Sequence, residues 1–291
     1  MQDSAESLEK RPTEGYLIKD IECTEFLQRC LPRLRLRWAG YRKVHQQVCK
    51  RLSRRIRELH LSGLSAYQRY LESNAEEWPI LDSLCNITIS RFYRDRDIFD
   101  VLQWSILPKL GEEMLHTGGK ELISWSAGCC CGEEAYTLQI IWKTSIIPLF
   151  HANPPLRIIA TDVDHAVLER ARKGWYRSSS LRNLPKELIK AAFTCSGKLC
   201  SIKERFRENI EFVEQDIRRQ MPDGPFHLIL CRNLVFTYFD ETLQRDILER
   251  IVEKLVPGGI LVIGAHESTP QEMTAFTPYE NSRCIYRKAI S

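Results

Sequence analysis

Apolar positions along this chain follow two different periods. In "YRKVHQQVCKRLSRRIRELHL", Val44, Val48, Leu52, Ile56 and Leu59 recur at spacings of three and four with basic residues between them, which predicts an amphipathic helix. "SAYQRYLES" repeats the pattern with Ser65 as a candidate N-cap, and "EEWPILDSLCN" adds a helix after the break at Pro79. Residues 20–90 therefore read as a basic helical domain behind a flexible N-terminus over 1–19, with the joint near "ITISRFYRDRDIFDVLQ". Beyond Gly119 short apolar runs alternate with helical stretches: "LISWSA", "EEAYTLQIIWKTSII", "LRIIATD", "HAVLERARKGWY", "IEFVEQD", "FHLILCRN", "ETLQRDILERIVEKLV" and "GILVIGAHE". That alternation predicts βαβ units and a mainly parallel sheet, an α/β domain over 91–291. A helix and a small antiparallel β insertion, taken as 193–210 with a turn at Ser196-Gly197-Lys198, interrupt the rhythm.

Composition narrows the class. Of 291 residues, 43% are hydrophobic and 27% charged, as in an ordinary soluble protein. The start, "MQDSAESLEKRPTE", lacks the basic and apolar regions of a secretory signal, and the longest apolar run, "FHLILCRNLVFTYF", is broken by Arg232 and Asn233. A cytoplasmic protein with no membrane insertion is expected. Eleven scattered cysteines show no Cys-x-x-Cys pair, and neighbours such as Cys129 and Cys130 are expected to point apart. Reduced, mostly buried thiols and no metal are the expectation.

Charge changes the picture more than its sum suggests. The net is +4, yet Arg29 to Arg57 holds eleven Lys or Arg and no Asp or Glu, leaving 31 basic against 38 acidic residues elsewhere. Such a face suits nucleic acid, an anionic membrane or an acidic helix, or is simply solvated. Nucleic acid is disfavoured because only Trp38 and Tyr41 interleave the charges.

The candidate chemistry begins at "LISWSAGCCCGEEAYTL". A strand runs into Ala127-Gly128, and Gly132 opens a helix, so the backbone can approach a ligand closely at a strand's carboxyl end. No dinucleotide fingerprint or Gly-Lys-Ser/Thr phosphate loop is present, and Glu133 and Glu134 would serve a phosphate poorly. At the next strand end, "RIIATDVD" offers Asp162 to a ribose, while Asp164 suits the N-cap of the helix that follows. A glycine turn with carboxylates and a ribose acid fits a positively charged nucleoside without phosphate. S-adenosylmethionine has those features.

"ISWSAGCCCGEEAYTL", "IIATDVDHAVLERARKGWY", "LILCRNLVFTYFDETLQRDIL", "LVPGGILVIGAHES" and "ITISRFYRD" resemble, in order, the motifs of CheR-type protein-glutamate O-methyltransferases, across roughly residues 20–288. The resemblance implies a Rossmann-like class I methyltransferase sheet, S-adenosylmethionine as cofactor with S-adenosylhomocysteine as product, and an acidic helical protein substrate such as a chemoreceptor cytoplasmic domain. It further implies that Ala127, Gly128 and Glu133 hold the methionine part, that Asp162 takes the ribose, and that Asp216 and Ile217 bracket adenine beside Asn233 and Leu234. Arg94 and Tyr238 stand at the transferring methyl, with Thr88 and Ser90 binding the cofactor alongside Arg94. Arg51, Arg54, Arg55 and Arg57 would receive the substrate protein, and the enzyme would act as a monomer.

Several positions depart from that pattern. Thr88 and Ser90 stand where many members have Asn and Thr, Ala135 replaces a proline, and "LVFTYFD" is one residue longer than usual before Tyr238. The insertion is shorter than in members that grip a receptor's tail, so no tether is expected. Two other readings stay open at this point: an O-methyltransferase acting on a small-molecule or other carboxylate, and a non-catalytic module that binds the cofactor.

Overall fold

A computed structural model describes residues 18–270 and 274–290. The expected flexible stretch 1–19 lies almost wholly outside the described residues. The chain divides into two compact units, Met1–Ile87 and Thr88–Ser291. The division falls three residues before the 90/91 boundary read from the sequence, so Thr88 and Ser90 go with the sheet.

The first unit holds helices α1 (Asp20–Cys30), α2 (Trp38–Tyr41), α3 (His45–Glu58), α4 (Leu64–Ser73) and α5 (Glu77–Leu84). On α3 the expected apolar stripe is real: Val48, Leu52 and Ile56 are fully buried, while Arg54 and Arg57 on other faces are exposed. Ser65 does not cap α4. The helix starts two residues earlier, at Leu64, and Gly63 occupies the cap position at φ 155°. Cys23 of α1 and Cys49 of α3 are joined in a disulfide, against the expectation of reduced thiols. The two helices pack together, which brings these buried side chains face to face.

The second unit continues with α6 (Arg96–Val101), α7 (Leu107–His116), β1 (Leu122–Ala127), α8 (Glu133–Ile141), β2 (Leu156–Asp162), α9 (His165–Lys173), β3 (Trp175–Arg177), α10 (Lys186–Ala192), β4 (Phe193–Ser196), β5 (Leu199–Ile202), β6 (Ile210–Glu214), β7 (Phe226–Leu230), α11 (Val235–Tyr238), α12 (Glu241–Lys254), β8 (Leu255–Val262), β9 (Phe276–Pro278) and β10 (Ile285–Lys288). Its seven-stranded sheet has the order β6-β2-β1-β7-β8-β10-β9. Strands β6 to β8 are parallel, and β10 is antiparallel to both β8 and β9. This is the α/β architecture expected. The inner strands read as continuous apolar runs because both faces are covered, and Leu228, Ile229 and Leu230 on β7 are fully buried. Strand order reverses between β1 and β7, so the ligand crevice of such a sheet opens at their carboxyl ends.

The insertion differs from its sequence reading. The small sheet is three-stranded in the order β3-β5-β4, so it recruits Trp175–Arg177 from ahead of 193–210, and Ile210 already belongs to the main sheet. Gly174 at φ 67° ends α9 and frees the chain to become a strand, a break that the helical pattern of "HAVLERARKGWY" hides. Gly197 makes the expected turn at φ 59°. That turn sets Cys195 directly opposite Cys200, and these two cysteines form the second disulfide. Among the described residues no helix is long and apolar enough to cross a membrane.

Candidate functional site

The loop after β1 is a backbone device before it is anything else. Gly128 adopts φ 71°, and its N–H and that of Cys129 both donate to the Thr161 carbonyl at the end of β2, at 2.8 and 2.9 Å. A Cβ on Gly128 would come within 2.7 Å of Leu234 Cδ2, so this glycine permits a close approach as well as a turn. Gly132, at φ 83°, packs against Ala171 and Phe212, which lets α8 start close to the sheet. Thus Gly128 and Leu234 meet at the switch point, with Ala127 immediately before the glycine at the end of β1.

Glu133, the first residue of α8, is 5% exposed. Burial pushes its carboxyl up, opposed by the Ser90 hydroxyl and by the charge of Arg170. Its Oε2 is buried with no hydrogen-bond partner. A carboxylate oxygen held this way is costly unless a ligand answers it. The amino group of S-adenosylmethionine is such a ligand, so the residues present fit the cofactor. Ser90 stands beside Glu133; Thr88 lies two residues earlier in the same irregular segment.

Asp162 ends β2 half-buried. Its Oδ2 accepts from Cys130 N at 2.8 Å and its Oδ1 from Asp164 N at 3.0 Å, so it pins the glycine loop to the end of β2. Burial raises its carboxyl, against those N–H bonds. Asp164 caps α9 by accepting from Ala166 N and Val167 N, the role read for it. Asp216 departs from the simple expectation. Burial works against its charge, but the Arg218 guanidinium grips both carboxylate oxygens at 2.9 to 3.1 Å and holds it below the usual carboxylate range. The turn Asp216-Ile217-Arg218 makes that grip local, so an adenine would meet a carboxylate already paired; neighbouring Ile217 is 7% exposed.

The segment carrying Arg94 is strained and braced. Tyr93 and Asp95 on either side sit at φ 56° and 58°, a costly backbone for residues other than glycine. Arg232, 7% exposed, donates to the Arg94 carbonyl at 2.8 Å, to Asp95 Oδ2 at 2.7 Å and to Glu134 Oε2 at 2.9 Å. Arg94 itself donates from Nη1 to the Ile89 carbonyl at 2.9 Å. The small sheet supports the same region: Phe92 packs edge-on against Tyr176 and Phe193, and Tyr176 OH donates to the Cys131 carbonyl at 2.7 Å.

Tyr238 closes a single helical turn, α11, in which its N–H donates to the Leu234 carbonyl at 2.9 Å. Arg94 and Tyr238 are thereby close enough for the arginine's charge to act on the phenol, which burial still pushes up to about 12. Asn233 adopts φ 55° and donates its N–H to Glu267 Oε2 at 2.9 Å. The same oxygen accepts from Gly264 N at 2.6 Å, and Thr237 Oγ1 donates to the other oxygen. Burial raises the Glu267 carboxyl against these bonds.

Sequence reasoning missed Arg232, Glu134 and Glu267. Arg232 and Glu134 are 98 positions apart, Asn233 and Glu267 34 apart. The available signal was a charge abutting a buried strand end in "LILCRN" and "IGAHES", where an ion must be paired.

In the helical unit the four arginines do not form one free row. Arg55 grips Glu77 at 2.9 and 2.7 Å, and Arg51 donates to the carbonyls of Leu84 and Asn86. Buried Glu77 and the end of α5 draw these two side chains inward. Arg54 and Arg57 remain exposed. The expectation that neighbouring cysteines point apart needs correction at one pair, since Cys130 Sγ and Cys131 Sγ are 3.9 Å apart.

A parallel sheet with a glycine turn, an acid at the end of the adjoining strand and a buried, unpartnered carboxylate at its switch point has the layout of a class I S-adenosylmethionine-dependent methyltransferase. The family model of the CheR methyltransferase SAM-binding domain matches residues 88–285, and that of the CheR all-alpha domain matches 44–81. A chemotaxis protein methyltransferase of Escherichia coli (strain K12) is 30% identical over 93% of this chain and 92% of its own length. One from Salmonella typhimurium is 33% identical over 76% and 75%, and one from Borreliella burgdorferi 31% identical over 75% and 78%. This chain belongs to the CheR methyltransferase family and is a SAM-dependent enzyme.

Proposed function

We propose that this enzyme forms methyl esters on glutamate side chains of an acidic helical chemoreceptor-type protein, acting as a cytoplasmic monomer. The observation that carries the reading is the buried Glu133 carboxylate with its partnerless Oε2, on the family's cofactor loop. Relatives bearing the name chemotaxis protein methyltransferase support the substrate class.

The cofactor, when bound, supplies an electrophilic methyl on a sulfonium. A substrate glutamate is already ionised near pH 7, so no general base is required. Arg94 attracts the carboxylate and orients it, and Arg232, through the Arg94 carbonyl and Asp95, keeps that segment in place. Tyr238 stays protonated at working pH and donates a hydrogen bond; it does not serve as a base. Glu133 and Asp162 fix the two ends of the cofactor, and Gly128 admits it against the backbone. Rate then comes from in-line positioning and exclusion of water. Of the arginines on α3, exposed Arg54 and Arg57 are the ones offered to the substrate helix.

The test is transfer of labelled methyl to a receptor helical fragment. Base-labile label on glutamates, with no label entering small carboxylic acids, is expected. Label confined to a small acid would remove the receptor reading, and no transfer despite bound cofactor would leave only a binding module.

A further inference from the structure

We infer that Cys130, Cys131 and Glu133 form a binding site for one thiophilic divalent cation of the Zn²⁺ type, and that this cation and S-adenosylmethionine exclude each other. The three side chains are 8%, 4% and 5% exposed, and one ligand atom from each lies within 4.8 Å of the others. The spacing suits a single ion. Two thiolates on a tetrahedral zinc, each at about 2.3 Å, lie roughly 3.8 Å apart, and the two sulfurs here are 3.9 Å apart. Adjacent residues in an extended chain would point to opposite sides. Cys130 instead has φ 52°, in a loop closed by its N–H bond to Asp162, and its sulfur stays beside that of Cys131. Glu133 Oε2, buried and unpartnered, is the third donor.

The donor set is soft and acidic, two sulfurs with one oxygen, which favours Zn²⁺ or Cd²⁺ over Mg²⁺ or Ca²⁺. Binding converts both thiols to thiolates, so up to two protons leave for solvent while the Glu133 carboxylate joins them; water completes the fourth position. Exclusion of the cofactor follows from the shared Glu133 oxygen, and this part rests on the proposed role of Glu133 in holding the cofactor's amino group. The family's reaction needs no metal at this loop, so the site inhibits and does not assist.

The experiment titrates Cd²⁺ into the full-length, metal-free chain with its two disulfides intact, following heat and thiolate-to-cadmium absorption. One ion per chain is expected at this site, with affinity at least tenfold weaker in Cys131→Ser and in Cys130→Ser. Saturating S-adenosylhomocysteine should weaken Cd²⁺ binding at least tenfold. Unchanged affinity in both variants, or no thiolate absorption in the wild type, overturns the site; an unchanged Cd²⁺ affinity with the nucleoside bound overturns the exclusion. Should either variant misfold, protection of Cys130 and Cys131 from alkylation by Cd²⁺, mapped by mass spectrometry on the wild type, decides the same question. A separate titration of S-adenosylhomocysteine into metal-free wild type and Glu133→Gln reads the cofactor role of Glu133 alone, so its failure is distinct from failure of the metal site.

Discussion

Buried charge is handled in opposite ways by the two units. In the helical unit, Glu77 is nearly sealed from solvent yet fully answered: Arg55 grips both oxygens and Tyr67 OH donates to one at 2.9 Å. Although burial opposes its ionisation, those bonds hold the Glu77 carboxyl below the usual range. In the sheet unit, Glu133 is as deeply buried, but one oxygen has no partner and burial pushes its carboxyl up. A satisfied buried ion belongs to the architecture, whereas an unsatisfied one reserves its interaction for a ligand. Glu267 and Asp162 lie between these cases, bonded to backbone N–H groups but still raised by burial.

The sharpest way to break the comparison is Arg55→Ala, which leaves Glu77 buried and unpaired. It should destabilise the full chain by about 3 kcal/mol in urea unfolding, the low end for a broken buried pair because the Arg55 side chain is 23% exposed. A loss below 1 kcal/mol would mean the pair is not structural. Next in size, Arg94→Ala should lower turnover by about 10²-fold with S-adenosylhomocysteine affinity intact, a positioning effect. Unchanged turnover removes the role given to Arg94.

Glu133→Gln should weaken S-adenosylhomocysteine by about 10- to 100-fold, roughly 1.4 to 2.8 kcal/mol for a lost charge-assisted bond. The same substitution should raise the thermal midpoint of the ligand-free chain near pH 7. Equal affinity for wild type and variant would place the cofactor elsewhere.

The two carboxylates also predict opposite pH behaviour. Glu77 is depressed, so its stabilisation is present above the unfolded value of about 4.3 and is lost as pH falls through its folded value. Glu133 is raised, so its contribution is complete below about 4.3 and is lost as pH rises through its folded value. Thermal melts from pH 3 to 7 should show Glu77→Gln flattening the acid limb and Glu133→Gln stabilising only on the neutral side; matching profiles would erase the distinction. The smallest effect belongs to exposed Arg54 and Arg57. Each change to Ala should weaken an acidic receptor fragment only about two- to five-fold, and less at high salt.

Regular features of this chain were legible without coordinates. The three-and-four spacing on α3, the alternation of apolar runs with helices after Gly119 and the ordered motifs around Gly128, Glu133, Asp162 and Asn233 all report local backbone period and turn chemistry. What escaped was pairing over distance. Arg51 and Arg55 looked like surface charge because nothing in their helix says that Glu77 will be buried beside them. β3 was hidden inside a helical pattern because Gly174 could not be told from a tolerated helical glycine until its φ was known.

The sequence by itself determined the class of fold, the main alternation of strands and helices and the glycine turn after β1, because these depend on periodicity and on residues whose backbone demands are local. Only the tertiary structure decided which charges are answered, that Arg232 braces Arg94, that Tyr238 reaches the site through α11 and that two adjacent sulfurs face one another. Those facts depend on burial and on partners tens to more than a hundred residues away, and the free energy of a charge is set by what surrounds it in space.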